Sequence, residues 1–285
     1  MSRVAALLAA ALLAIGAAGC GGGGAEPGAP EGATLVLDFT PNAVHSGLYA
    51  AQRQGFYRDA GVDLTIREPG SSTDAPKLLE AGRADLAILD IHDLGIARER
   101  GLDLVGVMPL VQRPLASVIA RADGGDPVRV DRITIGFNAV SSLASGKVDA
   151  ATGFWNAEGV ALRDKGVPIR VFKVDEYGAP PYPELVITAS RSTIERDPKL
   201  VDAVVAATAR GYRFAVANPA KALDDLLGSV PGLDRAEQAA QLRALRPDLE
   251  PAPFDPAVLR AWARWDLEHG LLHRPVDIGQ AFQIG

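Results

Sequence analysis

Leu79-Glu-Ala-Gly-Arg-Ala-Asp-Leu-Ala87 is echoed downstream by Leu143-Ala-Ser-Gly-Lys-Val-Asp-Ala-Ala151. Each stretch reads as a helix end, a glycine just past the cap, a base, an aspartate and then a strand. Two copies of one αβ unit imply two similar α/β lobes. Around them, short apolar runs alternate with helical stretches. Strands are expected at 34–39, 62–66, 85–89, 104–110, 115–120, 133–137, 169–174 and 185–189. Helices are expected from Ser46 to Gln54, over 73–81, from an Asp93 cap to Gly101, and over 156–165; beyond Asp197 the chain is mainly helical. Alternation of this kind predicts parallel sheets covered by helices. Ligands of such sheets bind beyond the carboxyl ends of strands, so Leu89-Asp90 and Gly153-Phe154-Trp155 point at one site.

Composition limits the function classes. The 285 residues are 48% hydrophobic and 22% charged, as expected of a globular protein with room for two lobes. A net charge of −6 without a basic run argues against nucleic acid as a partner. The single cysteine excludes an intramolecular disulfide or a thiolate metal cluster, and four scattered histidines form no zinc motif. No metal and no cofactor are expected.

The N-terminus sets the compartment. Arg3 is followed by an apolar run from Val4 to Ile15, then Gly16-Ala-Ala-Gly19 and Cys20. The run is too short to span a bilayer comfortably and reads as a cleaved signal. Small residues directly before a lone cysteine resemble a bacterial lipobox, with Cys20 as the lipidated residue. Residues 1–19 are therefore expected to be a signal peptide and 20–33 a flexible tether. The folded part is expected over 34–285, with lobe 1 at about 34–120 plus the C-terminal helices and lobe 2 at about 124–190. The expected location is the outer face of the cytoplasmic membrane, anchored by lipid.

Several motifs together resemble one family. They are Leu37-Asp-Phe-Thr-Pro-Asn-Ala-Val-His-Ser-Gly-Leu-Tyr49, Gly55-Phe-Tyr57, Gly61-Val-Asp-Leu64, Gln112-Arg-Pro-Leu115, Gly153-Phe-Trp-Asn-Ala-Glu-Gly159 and Pro181-Tyr-Pro-Glu-Leu185. The chain is similar through them to thiamine pyrimidine-precursor synthases and their ABC-transporter binding-protein relatives. The resemblance implies an α/β, bilobal type II periplasmic-binding fold with a ligand in the cleft. It also implies an ABC permease and its ATPase as partners. Two departures stand out. Phe39 replaces a usual tryptophan, and Asp123 runs directly into Gly124, where relatives carry another strand and helix. The second lobe is therefore expected to be shortened.

A pyrimidine with an exocyclic amine needs flat apolar faces and a few fixed acceptors. Phe39, Tyr49, Trp155 and Tyr182 offer faces; Asp38, Asp90 and Glu158 offer acceptors; Asn42 and His45 complete the candidate set. Each has a plainer reading. Asn42 and Ser46 can cap a helix, His45 can be a loop histidine, Glu158 can favour a helix N-terminus, and Tyr182 can pack at a hinge. The expected function is capture of a thiamine pyrimidine precursor, with riboflavin or an alkanesulfonate as alternative ligands. A sulfonate would call for a base at the strand ends, where the chain places acids. A synthase would need a lysine for pyridoxal phosphate and a cysteine-rich stretch. No lysine stands near Asp90-Ile91-His92, and Cys20 is alone.

Overall fold

A computed structural model of the chain describes residues 30–70, 74–124 and 130–284. The expected signal, Cys20 and most of the tether lie outside these residues, as does the stretch that follows the Asp123–Gly124 junction. Among the described residues eight strands form two sheets: β1 (Glu31–Val36), β2 (Val62–Arg67), β3 (Leu86–Asp90), β4 (Leu104–Pro109), β5 (Ala116–Arg121), β6 (Ala150–Phe154), β7 (Ile169–Lys173) and β8 (Leu185–Ser190). The larger sheet has the order β2-β1-β3-β8-β4 and the smaller β6-β5-β7. The chain is thus an α/β protein of two lobes. No helix among the described residues is long and apolar enough to cross a membrane.

The echoed stretches build the same turn in both lobes. Gly82 and Gly146 sit in the left-handed region at φ 62° and 71°. Arg83 N–H donates to Leu78 O and Lys147 N–H to Ser142 O, both at 2.9 Å, closing identical six-residue caps. Each turn then launches a strand, β3 in one lobe and β6 in the other.

Four expectations are corrected. First, β1 begins at Glu31, inside the expected tether, because Glu31 to Val36 pair along β2 in parallel register. Second, the sheets are not all parallel. β8 runs antiparallel to β3 and β4, and β5 runs antiparallel to β6 and β7. The chain returns from the smaller lobe at the cleft edge, so β8 must enter its sheet from the end where β3 leaves it. Third, the lobe boundaries shift. β8, placed in lobe 2 by the sequence, sits in the larger sheet; β5, placed in lobe 1, is the central strand of the smaller one. All six residues of β8 are buried, which suits a strand covered on both faces. Fourth, residues 133–137 form no strand. Val130, Ile133 and Phe137 are exposed, and Gly136 turns left-handed at φ 55° before the helix Ala139–Ala144. Among the described residues the smaller sheet has three strands, and no further strand pairs with either outer edge.

Two passages join the lobes, between β4 and β5 and between β7 and β8. They are tied to each other. Leu110 N–H donates to Leu185 O at 2.8 Å, and Glu184 N–H to Val111 O at 3.1 Å. The C-terminal helices pack on the larger lobe. Trp262 is fully buried there, among Leu94, Tyr182 and Phe282.

Candidate functional site

The carboxyl ends of β1 and β3 face the amino end of β5 and the carboxyl end of β6 across a cleft of about 390 Å³. The larger lobe contributes Asp38, Phe39, Asp90 and Asp93; the smaller contributes Ser117, Phe137, Gly153, Phe154 and Glu158. A larger hollow of about 570 Å³ around Arg53, Arg58 and Lys221 belongs to one lobe only. The cleft draws on both lobes, as capture by closure requires.

Asp38 is held from behind. Asn42 caps the short turn Ala43–His45 by accepting Val44 N–H at 3.0 Å. The Asn42 N–H donates to His45 Nδ1 at 3.2 Å, so Nδ1 is an acceptor and Nε2 carries the hydrogen. That Nε2–H points at Asp38 Oδ1, 2.9 Å away. His45 is completely buried, while Asp38 reaches the cleft. Asn42 and His45 thus orient the acceptor from outside the cleft lining.

The other wall is set by Glu158, the first residue of the helix Glu158–Asp164. Its Oε2 accepts the Phe154 N–H at 2.9 Å. Burial raises the Glu158 carboxyl above its ordinary range; backbone hydrogen bonds oppose the shift, and the Asp38 charge adds to it. Ser117 Oγ donates to Gly153 O at 2.7 Å and pins β5 to β6 beneath it.

Asp90 and Asp93 form the floor. Asp90, not Asp93, caps the helix Ile91–Glu99: its Oδ1 accepts the His92 N–H at 2.8 Å. The reason is geometric, since Asp90 keeps an extended backbone and Asp93 already lies in the first turn. Burial and the neighbouring Asp90 charge lift the Asp93 carboxyl to about 6. Beside Asp90, the fully buried Glu184 carboxyl is raised well above its usual range by burial and by Asp90. Its Oε2 accepts the N–H groups of Leu115 and Ala116, where the chain enters the smaller lobe.

Phe39 and Phe137 meet edge to face across the cleft, with ring centroids 4.6 Å apart and planes at 85°. The cleft therefore offers three aromatic rings (Phe39, Phe137 and Phe154), four carboxyls, and no lysine or arginine among its described lining residues. Such a site accepts hydrogen bonds and repels anions.

Of the nine residues singled out, the structure brings Asp38, Phe39, Asp90 and Glu158 into the cleft lining, with Asn42 and His45 behind Asp38. Three lie elsewhere. Tyr49 is buried beside Ile66 and Glu68 at another hollow, and burial pushes its hydroxyl up to about 12. Trp155 packs in the core, donating Nε1–H to Pro114 O at 3.0 Å beneath Lys173. Tyr182 is buried against His92, rings 4.9 Å apart. Phe137 and Glu184 were missed as site residues. Phe137 sat inside an expected strand, and Glu184 stood within the Pro181–Leu185 motif beside the more conspicuous Tyr182.

Known proteins place the chain. A family model described as "NMT1/THI5 like" matches residues 42–125 and 119–222. A formylaminopyrimidine-binding protein of Halalkalibacterium halodurans is 28% identical, over 88% of this chain and 89% of its own. A 4-amino-5-hydroxymethyl-2-methylpyrimidine phosphate synthase of Saccharomyces cerevisiae is 21% identical, over 70% of this chain and 72% of its own. The alkanesulfonate-binding protein SsuA of Xanthomonas axonopodis pv. citri, solved bound to MOPS, is 16% identical. It superposes with a TM-score of 0.72, over 89% of this chain and 98% of its own. That likeness gives the fold, a periplasmic-binding-protein fold. With its family match running across both lobes and more than half of its length, the chain belongs to the NMT1/THI5-like family.

Proposed function

We propose that this chain is an extracytoplasmic solute-binding lipoprotein of an ABC importer, and that it captures a thiamine pyrimidine precursor between its lobes. One observation carries the reading: a two-lobed cleft that pairs phenylalanine rings with four carboxyls and has no lysine or arginine among its described lining residues. An aminopyrimidine brings N–H donors and two flat faces. Asp38 from one lobe and Glu158 from the other accept the donors, and Phe39 and Phe137 cover the ring. Each hydrogen bond to an ionised carboxylate contributes on the order of 1.5–3 kcal/mol. Contacts to both lobes stabilise the closed form alone, and the closed form docks on the permease. The relative of Halalkalibacterium halodurans, named for a formylaminopyrimidine, supports this ligand class.

Binding is favoured over synthesis. The described lining contains no lysine for an aldehyde cofactor, and Cys20 is the only cysteine in the sequence. A sulfonate is disfavoured by the same acidic lining. Cys20, outside the described residues, is the proposed lipid attachment point. Replacing it with serine should release the protein from the membrane.

A thermal-shift screen followed by calorimetry tests the reading. Formylaminopyrimidine, hydroxymethylpyrimidine, riboflavin and an alkanesulfonate are compared. Ligand at 100 times its Kd stabilises by about 2.7 kcal/mol. An aminopyrimidine should give the largest shift. A shift with the sulfonate alone, or with none of the four, overturns the proposal.

A further inference from the structure

Asp90, His92 and Glu184 each present a donor atom, and the three atoms lie within 4.8 Å of one another. Each side chain is already oriented through a different atom. Asp90 Oδ1 accepts the His92 backbone N–H at 2.8 Å. Glu184 Oε2 accepts the N–H groups of Leu115 and Ala116. His92 Nδ1 lies 2.6 Å from Oδ2 of the fully buried Asp266. Trp262 Nε1 lies 3.2 Å from the same nitrogen. The Trp262 indole N–H can only donate, so Nδ1 cannot serve both contacts; we assign its hydrogen to the shorter one, to Asp266. Nε2 is then the lone-pair nitrogen. The atoms less engaged elsewhere are Asp90 Oδ2, His92 Nε2 and Glu184 Oε1.

Glu184 Oε1 is the independent sign. Glu184 is 0% exposed, and apart from the facing Asp90 carboxyl this oxygen has no hydrogen-bond partner. A buried carboxylate oxygen facing a second carboxylate needs a proton or a cation between them. A histidine that gives its other N–H to a carboxylate is the arrangement that steadies an imidazole on a metal ion.

We propose that Asp90, His92 and Glu184 bind one divalent transition-metal ion through Asp90 Oδ2, His92 Nε2 and Glu184 Oε1. Two carboxylate oxygens and an imidazole nitrogen suit zinc or manganese; the nitrogen disfavours calcium and magnesium. Three protein ligands leave a coordination position open. Asp90 lines the cleft, so the ion has a route in from that side. Two charges on the ion balance the two carboxylates that otherwise must share a proton. Sequence spacing hides such a site, since Glu184 is remote from Asp90 and His92 along the chain.

The test uses the full chain, stripped with chelator and dialysed. Zinc and manganese are titrated by calorimetry, and cobalt is followed by its visible absorption. One ion per chain is expected to bind. Asp266→Asn, which loosens the imidazole, should weaken binding about 10- to 100-fold. Glu184→Gln should weaken it further. If Glu184→Gln does not fold, Asp90→Asn takes its place, and loss of the cobalt bands on adding zinc to the wild-type chain shows that both ions share one site. The surface pair His273 and Glu99, 3.6 Å apart, is the control. Overturning results are no uptake of zinc or manganese by the wild-type chain, uptake unchanged in Glu184→Gln or Asp90→Asn, or uptake lost in His273→Ala. Aminopyrimidine binding measured with and without chelator is read separately, so failure of the metal site leaves the capture proposal standing.

Discussion

His45 Nε2 donates to Asp38 Oδ1 across 2.9 Å, with the histidine wholly buried and the aspartate open to the cleft. The bond turns a loop carboxylate into a fixed acceptor, because the Asn42 N–H on the far side of the ring dictates which nitrogen carries the hydrogen. Replacing His45 with phenylalanine keeps the ring volume and removes both bonds. The Asn42 N–H then lacks its acceptor, at a cost of about 1–3 kcal/mol of stability. Ligand affinity should fall as well. The double variant with Asp38→Asn should lose less affinity than the two single losses added together. Calorimetry on the four proteins measures the coupling; strict additivity would mean that His45 does not act through Asp38.

Glu158→Gln separates ligand recognition from folding. The amide oxygen can still accept the Phe154 N–H, so the helix start should survive. An aminopyrimidine donor loses a charged acceptor, and binding should weaken by about 1–3 kcal/mol. The pH dependence has a definite sign. Burial raises this carboxyl in the folded chain above its ordinary 4.5. The folded state therefore holds the proton more tightly than the unfolded chain. Its contribution to stability is fully present below 4.5 and is lost as pH rises through the folded value. Glu158→Gln should remove that loss. Melting curves from pH 4 upward should show the variant gaining on the wild type as pH rises; a constant difference would refute the buried-carboxyl account.

Phe39 and Phe137 come from different lobes and touch only across the cleft. An edge-to-face pair contributes about 0.5–1.5 kcal/mol beyond its area. Phe137 is 41% exposed, so Phe137→Ala should scarcely change the melting temperature. Affinity should drop by roughly 2- to 10-fold, since a ring face and a contact between the lobes are lost together. Binding unchanged in Phe137→Ala would take Phe137 out of the site.

The two-lobed α/β architecture was legible because it depends on local signals: apolar runs, cap residues and the paired glycine turns at Gly82 and Gly146. Strand direction was not, because β8 acquires it from the route of the chain back across the cleft. That Asp38 and Glu158 reach the cleft was readable from their places after strand ends. Glu184 was not, since its role arises from burial beside Asp90 and from the N–H groups of Leu115 and Ala116, all contacts distant in sequence. Trp155 and Tyr182 fit the chemistry of a ring-binding face equally well, and only packing showed that their rings turn into the core.

The two sheets should differ in stability. The larger has five strands, and its central β3 and β8 are flanked on both sides by hydrogen-bonded neighbours. The smaller has three among the described residues, and there two of its strands carry an open edge. Its buried cluster is correspondingly small, centred on Ile119, Leu143 and Leu162. Residues 133–137, where a strand was expected, leave Ile133 and Phe137 exposed instead of adding to that cluster. Local opening should therefore take less free energy in the smaller lobe. Hydrogen exchange should show faster amide exchange in β6 and β7 than in β3 and β8. Saturating ligand, which joins the lobes, should slow exchange mainly in β5 and β6. Because β5 belongs to the smaller sheet, its amides should follow β6 rather than β4, although β4 precedes it directly in the chain. Exchange in β5 that tracked β4, or equal protection in both sheets, would show that the smaller lobe has no independent opening and that its three strands suffice.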